Sequence, residues 1–297
     1  MNTKETFDFA PIAIGVMRLG TWGANMSTAE LTAFIEGCLE LGLNDFDHAD
    51  IYGGYSTESD FGEVLKSRSD LRDQVRVITK CGILMPCDNR PEYAIKSYDL
   101  SASHIRKSVE NSLSYLGLEQ IDVLLLHRPD LLIDPEEVAG EFEALKQAGK
   151  VAFFGVSNFT PSQFSLLNSY TPLVTNQIEA SITQLAPFND GTLDQCIQHQ
   201  IRPMAWSPVG GGSLFKPSDD PGMEQIRKVA ASLAEKYGIQ MDQLLLAWLL
   251  KHPSKIVPVL GTSKLERVAT AKAALEVDLS REDWYRLLEA SMGHEVA

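Results

Sequence analysis

Four side chains in this sequence form a set that could move a proton. Asp47-His48-Ala49-Asp50-Ile51-Tyr52-Gly53 follows one short apolar run, Lys80 closes the next, and His127 closes Leu124-Leu125-Leu126. A free phenol titrates near about 10 and gives up its proton reluctantly. A neighbouring ammonium stabilises the phenolate and lowers that value, and a carboxylate keeps that ammonium charged and in place. Tyr52, Lys80 and Asp47 supply these three groups, and His127 can hydrogen-bond an oxygen that receives the proton. Such a set suits protonation of a carbonyl oxygen while hydride reaches the carbon.

Taken singly, each residue has an ordinary explanation. An Asp-x4-Tyr pair is usually a surface acid beside a packed ring, a strand-final lysine a solvated end, and a histidine after three leucines a rim residue. Their joint occurrence in order carries the weight. His48 and Asp50 sit where metal ligands could sit, but no third ligand cluster accompanies them. They are read as local hydrogen-bonding groups, and no metal site is expected.

These residues need elements to bring them together. Short runs rich in apolar and β-branched residues fall at 13–16, 43–46, 75–79, 121–126, 151–156, 173–176, 202–205 and 256–259. They suit strands buried on both faces of a parallel sheet. Helical spacing and capping residues mark 28–41, 101–116, 134–148, 160–167, 223–236, 241–252, 264–275 and 281–290. The alternation implies an α/β fold with a parallel sheet. A doubly wound dinucleotide fold would place Gly-x-Gly-x-x-Gly after the first strand, where this chain has Met17-Arg18-Leu19-Gly20-Thr21-Trp22. A (β/α)8 TIM barrel is therefore expected, as a single domain over 1–297 with an additional C-terminal helix. The irregular stretch 207–221 is read as a functional loop. In a barrel, chemistry gathers at the C-terminal ends of the strands. The further segments Gly155-Val156-Ser157-Asn158-Phe159, Asn176-Gln177-Ile178-Glu179, Ala205-Trp206-Ser207-Pro208 and Gly261-Thr262-Ser263-Lys264 all fall there.

Asp47-x4-Tyr52-Gly53, Lys80, His127 and Gly155-Val156-Ser157-Asn158-Phe159, in this order, resemble the aldo-keto reductase superfamily, in the manner of its bacterial oxidoreductase members. The resemblance runs from about Ile14 to the eighth helix. It implies NADPH-dependent reduction of aldehydes or ketones to alcohols, with Tyr52 as general acid and Lys80, Asp47 and His127 completing the catalytic tetrad. It also implies that Ser157, Asn158 and Gln177 bind the nicotinamide carboxamide and that Trp206 stacks on its ring, at a position more often tyrosine in the family. Gly20, Thr21 and Trp22 join the cofactor set. Ser207, Pro208, Val209, Gly210, Gly211 and Gly212 would bring backbone N–H groups to the pyrophosphate. Thr262, Ser263, Lys264 and Arg267, after Gly261, would clasp a 2′-phosphate and so select NADP(H).

Two departures from the family pattern stand out. Thr270 and Ala271 occupy positions where the family often has Glu-Asn against the adenine, and Arg18 replaces a frequent glycine. Arg18 is read either as reaching into the substrate pocket or as packing across the barrel mouth. Trp22, Tyr55 and Phe159 are candidate substrate walls. Two other readings stay open. One is a cofactor-binding regulatory relative with little turnover, like the potassium-channel β subunits. The other is a Schiff-base barrel enzyme with Lys80 as nucleophile.

Bulk composition narrows the partners. Lys plus Arg number 26 against 40 Asp plus Glu, giving a net charge of −14. Such a surface repels a phosphate backbone, so nucleic acid is not an expected partner. The start of the chain lacks the apolar stretch of a signal peptide, and no run approaches the roughly 18 apolar residues of a membrane span. The four cysteines are scattered and are read as incidental thiols in a reducing cytoplasm. A small carbonyl substrate and a monomer or weak oligomer complete the expectations.

Overall fold

The computed structural model describes residues 6–297. Eight parallel strands close into a barrel: β1 (Ala13–Gly15), β2 (Asp45–Asp47), β3 (Arg76–Cys81), β4 (Ile121–Leu126), β5 (Val151–Ser157), β6 (Asn176–Glu179), β7 (Met204–Trp206) and β8 (Val257–Leu260). They follow chain order around the ring, and β8 pairs with β1 through Ala13↔Val259 and Ile14↔Leu260. The expected (β/α)8 TIM barrel is the fold observed.

The outer ring is formed by α1 (Thr28–Glu40), α2 (Thr57–Ser67), α3 (Ala102–Leu116), α4 (Pro135–Gln147), α5 (Pro161–Asn168), α6 (Thr192–His199), α7 (Pro221–Tyr237), α8 (Met241–Leu250) and α9 (Leu265–Ala273). Helix α10 (Arg281–Met292) is the additional C-terminal element. Several starts follow from local chemistry. Ser27 and Glu30 form a capping box, as do Thr160 and Gln163, while Asp134 accepts from two backbone N–H groups ahead of Pro135. Each cap satisfies donors that the first helical turn leaves unpaired.

Strand alternation assigns the layers. Ala13, Ile78, Val123, Leu125, Met204 and Val257 form one buried apolar cluster, the filling of the barrel. Residues one step out of phase, such as Phe46 and Val77, pack with α1 and α2 through Phe34, Ile35, Phe61 and Leu65. At the N-terminal end of β2, buried Asp45 accepts from Arg76 Nε at 2.6 Å and from Ala10 N at 2.7 Å. Helix α10 is held to α8 by Trp248 and Trp284, stacked 5.0 Å apart at 9°. Each indole N–H donates to the other residue's backbone carbonyl, at 3.1 and 2.9 Å. Among the described residues no helix is long and apolar enough to cross a membrane.

Several boundaries differ from the sequence expectation. The run expected at 173–176 lies mostly before its strand, which is Asn176–Glu179, and 202–205 gives Met204–Trp206. Apolarity ended these runs too early, because β6 ends on polar Gln177 and Glu179 and β7 on Trp206, whose indole meets Asn158 at the mouth. Helices α2 and α6 were not foreseen, and 207–221 is not wholly irregular, since Gly210–Phe215 forms a short 3-10 helix. A small antiparallel ribbon, Ile83–Leu84 with Ser97–Tyr98, follows β3.

Candidate active site

Sheet register explains how four distant residues meet. Asp47 pairs with Ile78, and Lys80 lies two residues further along β3, on the same inward face. Both side chains are buried, and Lys80 Nζ donates to Asp47 Oδ2 at 2.7 Å and to the His48 carbonyl at 2.7 Å. Its third short contact is with the Tyr52 hydroxyl, at 3.2 Å. The other Asp47 oxygen accepts from Gln177 Nε2 at 2.7 Å, a contact from β6 on another side of the barrel. His127 directly follows β4, and its ring lies edge-on to Tyr52 with centroids 6.1 Å apart. The structure thus brings Tyr52, Lys80, Asp47 and His127 together.

Tyr52 opens a tight turn, Tyr52–Tyr55, in which Gly53 has φ 62 and Gly54 φ 66. A Cβ on Gly53 would stand 2.5 Å from Thr57 Oγ1, so the turn requires glycine there. Tyr55 has φ 69, a strained value for a tyrosine. Its hydroxyl offsets that cost by donating to the Ile83 carbonyl at 3.2 Å and accepting from Met85 N at 3.0 Å.

The electrostatics correct one expectation. The Tyr52 phenol is raised above its ordinary value: burial dominates, and Lys80 offsets it only in part against Asp47 and Asp50. Tyr52 therefore keeps its proton at neutral pH, and the ammonium beside it is placed to stabilise negative charge on the phenol oxygen were the proton to leave. Burial alone would depress Lys80, but Asp47 and Tyr52 outweigh it and its pKa stands above the usual lysine value. An amine held as ammonium has no lone pair for Schiff-base attack, which argues against the nucleophilic-lysine reading. His127 is pushed well below its usual value by burial, then by Lys80, Arg128 and Lys96, and is a neutral imidazole. His48 was expected to hydrogen-bond locally, but among the described residues neither ring nitrogen has a partner. Burial lowers it to about 3, and it packs edge-on against Phe61 at 4.5 Å.

Around the mouth, Ser157 Oγ donates to the Gln177 carbonyl at 2.9 Å and accepts from Asn158 Nδ2 at 2.8 Å. Asn158 Oδ1 accepts from the Trp206 indole at 3.0 Å. Asn158 and Ser207 follow β5 and β7 with φ 61 and 51, left-handed values that cluster at functional strand ends. Pro208 is buried and Val209 packs into the apolar layer. Gly210, Gly211 and Gly212 all have positive φ. Gly210 needs the missing side chain, since a Cβ would come within 2.5 Å of Thr183 Oγ1, whereas Gly211 faces open space.

Gly261, Thr262, Ser263, Lys264 and Arg267 lie beyond β8, beside β7 in the ring, at the start of α9. Lys264 and Arg267 are exposed, and among the described residues neither pairs with a carboxylate. In a chain of net charge −14, two unpaired cations at a helix N-terminus fit a phosphate. Ala271 is buried in the layer beneath α9, and Thr270 Oγ1 donates to the Glu266 carbonyl, so neither offers itself to an adenine.

The first loop divides in two. Gly20 abuts Thr57, and Thr21 Oγ1 donates to the Gly53 carbonyl at 3.2 Å, so both support the Tyr52 turn. Trp22 stands at the mouth, its ring 6.2 Å from that of Tyr52. Arg18 is exposed and donates to the Trp22 carbonyl at 2.8 Å, closing this loop on itself. Two residues at the site were not foreseen. Arg128 lies 5.9 Å from the Trp206 ring. Glu58, on α2, is buried and accepts from Thr79, the residue before Lys80, and its place at the start of a helix would have marked it only as an exposed first-turn acid.

The family model for the aldo/keto reductase family matches residues 11–291, and the chain belongs to that family. An uncharacterized oxidoreductase of Bacillus subtilis, YcsN, is 44% identical over 100% of this chain and 99% of its own. A protein of Agrobacterium fabrum named 6-dehydroglucose reductase is 43% identical over 99% of this chain and 98% of its own. A thermostable aldo-keto reductase, Tm1743, solved with the inhibitor epalrestat, shares the fold at TM-score 0.80 and 23% identity, covering 95% of both chains. The class is that of oxidoreductases that reduce carbonyls with a nicotinamide cofactor.

Proposed function

We propose that this protein is an NADPH-dependent reductase of aldehydes and ketones, with Tyr52 as the acid that protonates the carbonyl oxygen. The observation that carries the reading is the Asp47–Lys80–Tyr52 chain, closed at 2.7 and 3.2 Å beside a neutral His127. When bound, NADPH supplies the hydride. Ser157, Asn158 and Gln177 would hold its carboxamide, Trp206 its ring face, the 207–212 segment with Gly20, Thr21 and Trp22 its neighbouring groups, and Thr262, Ser263, Lys264 and Arg267 its 2′-phosphate.

The chain's own residues complete the chemistry. The neutral His127 imidazole orients the carbonyl oxygen by a hydrogen bond without adding charge. Tyr52 gives its proton to that oxygen, and the phenolate left behind faces the Lys80 ammonium already aimed at it. Asp47, fixed by Gln177, keeps Lys80 charged and immobile, so little reorganisation accompanies the transfer. The four cysteines form no disulfide, in keeping with a reducing cytoplasm, and one chain is proposed to act as a single domain.

The name of the Agrobacterium relative makes a hexose bearing an aldehyde the first substrate to try. The test is the initial rate of NADPH oxidation with a panel of sugar aldehydes, dicarbonyls and simple ketones. Turnover with at least one aldehyde is expected, with NADPH preferred to NADH. A protein that binds NADPH and reduces nothing in the panel would instead be a regulatory relative.

A further inference from the structure

A polar cavity of about 230 Å³ lies outside the barrel, between α3, the Tyr52 turn and the excursion that carries the ribbon. It is large enough for several water molecules. At its wall stand the carboxyls of Asp50 and Glu58. Asp50 Oδ1 is buried without a hydrogen-bond partner among the described residues. Glu58 accepts from Thr79 Oγ1 at 2.6 Å and from Ser112 Oγ at 2.9 Å. Thr79 precedes Lys80 and faces the layer between barrel and helices, so Glu58 ties the strand of the ammonium both to α3 and to the helix that follows the Tyr52 turn.

We propose that Glu58 is a positioning residue for this reaction: it anchors the strand that carries Lys80, and its charge, exchanged with water in this cavity, sets how strongly Lys80 supports the Tyr52 phenolate. The proposal rests on the reductase reading above.

The surroundings show why Glu58 can change charge in a working range. Among the described residues no cation is hydrogen-bonded to it. Burial pushes its pKa up to about 7, against the lowering effect of the Thr79 and Ser112 hydroxyls and of Lys80. From β3 it faces Lys80 and the Cys81 thiol, and from the turn Asp50 and Tyr55. From α3 come His104, Lys107 and Tyr115, with His104 lowered by burial and near Ser108 Oγ at 3.3 Å. From the excursion come Arg90, Glu92 and Tyr93, with the Arg90 guanidinium engaged 4.5 Å over the Tyr55 ring. Lys80 is thus the cation whose field Glu58 most directly offsets. When Glu58 ionises, part of that field turns from the phenolate to the carboxylate, and Tyr52 becomes a poorer acid.

The test is kcat/KM for aldehyde reduction against pH, in wild type and in Glu58→Gln, which keeps the size and removes the charge, its amide oxygen accepting from one hydroxyl and its NH2 donating to the other. Wild type should lose roughly threefold as Glu58 ionises, about half a unit's change in Tyr52 acidity. Glu58→Gln should lack that inflexion and exceed wild type by roughly that threefold at about pH 8, with NADPH affinity unchanged. A raised carboxyl favours the folded state below its unfolded value and loses that contribution as pH rises through about 7. The melting temperature of wild type should therefore fall across this range more than that of Glu58→Gln. Ser112→Ala removes a hydroxyl that stabilises the carboxylate and should move the wild-type inflexion to higher pH. An inflexion that persists in Glu58→Gln, or a flat wild-type profile, overturns the proposal while leaving the reductase reading intact. Wild type that oxidises no NADPH with any carbonyl overturns both.

Discussion

At the scale of single residues, the proposed reaction separates the group that would give a proton from the groups that would make its loss tolerable. Burial keeps Tyr52 protonated, and the ammonium 3.2 Å from its oxygen would act as charge develops rather than before. Lys80 also neutralises a buried carboxylate, so it serves stability as well as the proposed catalysis. Lys80→Met is expected to cost roughly 3–5 kcal/mol of folding stability, because it leaves Asp47 uncompensated. Turnover should fall at least about 100-fold in the molecules that still fold. Denaturant unfolding and single-turnover rates on the same preparation measure the two effects, and unchanged stability would mean that the pair is not closed in solution. Asp47, Tyr52, Lys80 and His127 were all legible in the sequence because each is an unusual polar residue at an apolar run's end. Glu58 was not, since its inward direction depends on where α2 begins and on Thr79 facing outward from β3. Nor was the sign of the Tyr52 shift, which depends on burial that residue types do not record.

At the scale of elements, the Tyr52–Tyr55 turn is the most constrained piece of the mouth. Gly53→Ala would force a left-handed alanine against Thr57 Oγ1, and about 1–2 kcal/mol of destabilisation is expected from the conformation alone. The side chain would also displace Tyr52 from Lys80. Thermal unfolding should therefore show a modest loss while kcat falls at least about 10-fold, and a kcat near wild type would show that the turn tolerates the shift. Element order and barrel closure were legible from alternating apolar runs, capping residues and the missing dinucleotide fingerprint. Strand ends were less so. Gln177 and Trp206 lie within β6 and β7, where inward-facing polar and aromatic residues interrupt the apolar pattern. Helices α2 and α6 went unseen because each packs a short, weakly apolar stretch whose partner face exists only in the assembled ring.

At the scale of the whole molecule, a net charge of −14 makes unpaired cations informative. Lys264 and Arg267 stand exposed beside the rim that carries Trp206 and the 210–212 glycines, where an anionic ligand would offset local charge. NADPH at about 100 times its dissociation constant should stabilise the fold by about 2.7 kcal/mol. The double variant Lys264→Ala, Arg267→Ala should raise the dissociation constant for NADPH roughly 100-fold or more while changing that for NADH little. Equal changes for the two cofactors would remove the 2′-phosphate role. The proposed cofactor preference was legible only as a motif at the last strand–helix junction; that its two cations lack carboxylate partners among the described residues is a property of the folded surface.

The most direct measurement compares single-turnover reduction of a competent aldehyde by preformed NADPH complexes of wild type and Tyr52→Phe. The variant lacks only the phenolic hydroxyl, so NADPH affinity should stay within about twofold while the hydride-transfer rate falls at least about 100-fold. A Tyr52→Phe protein that binds NADPH and transfers hydride at nearly the wild-type rate would contradict the assignment of Tyr52 as the acid.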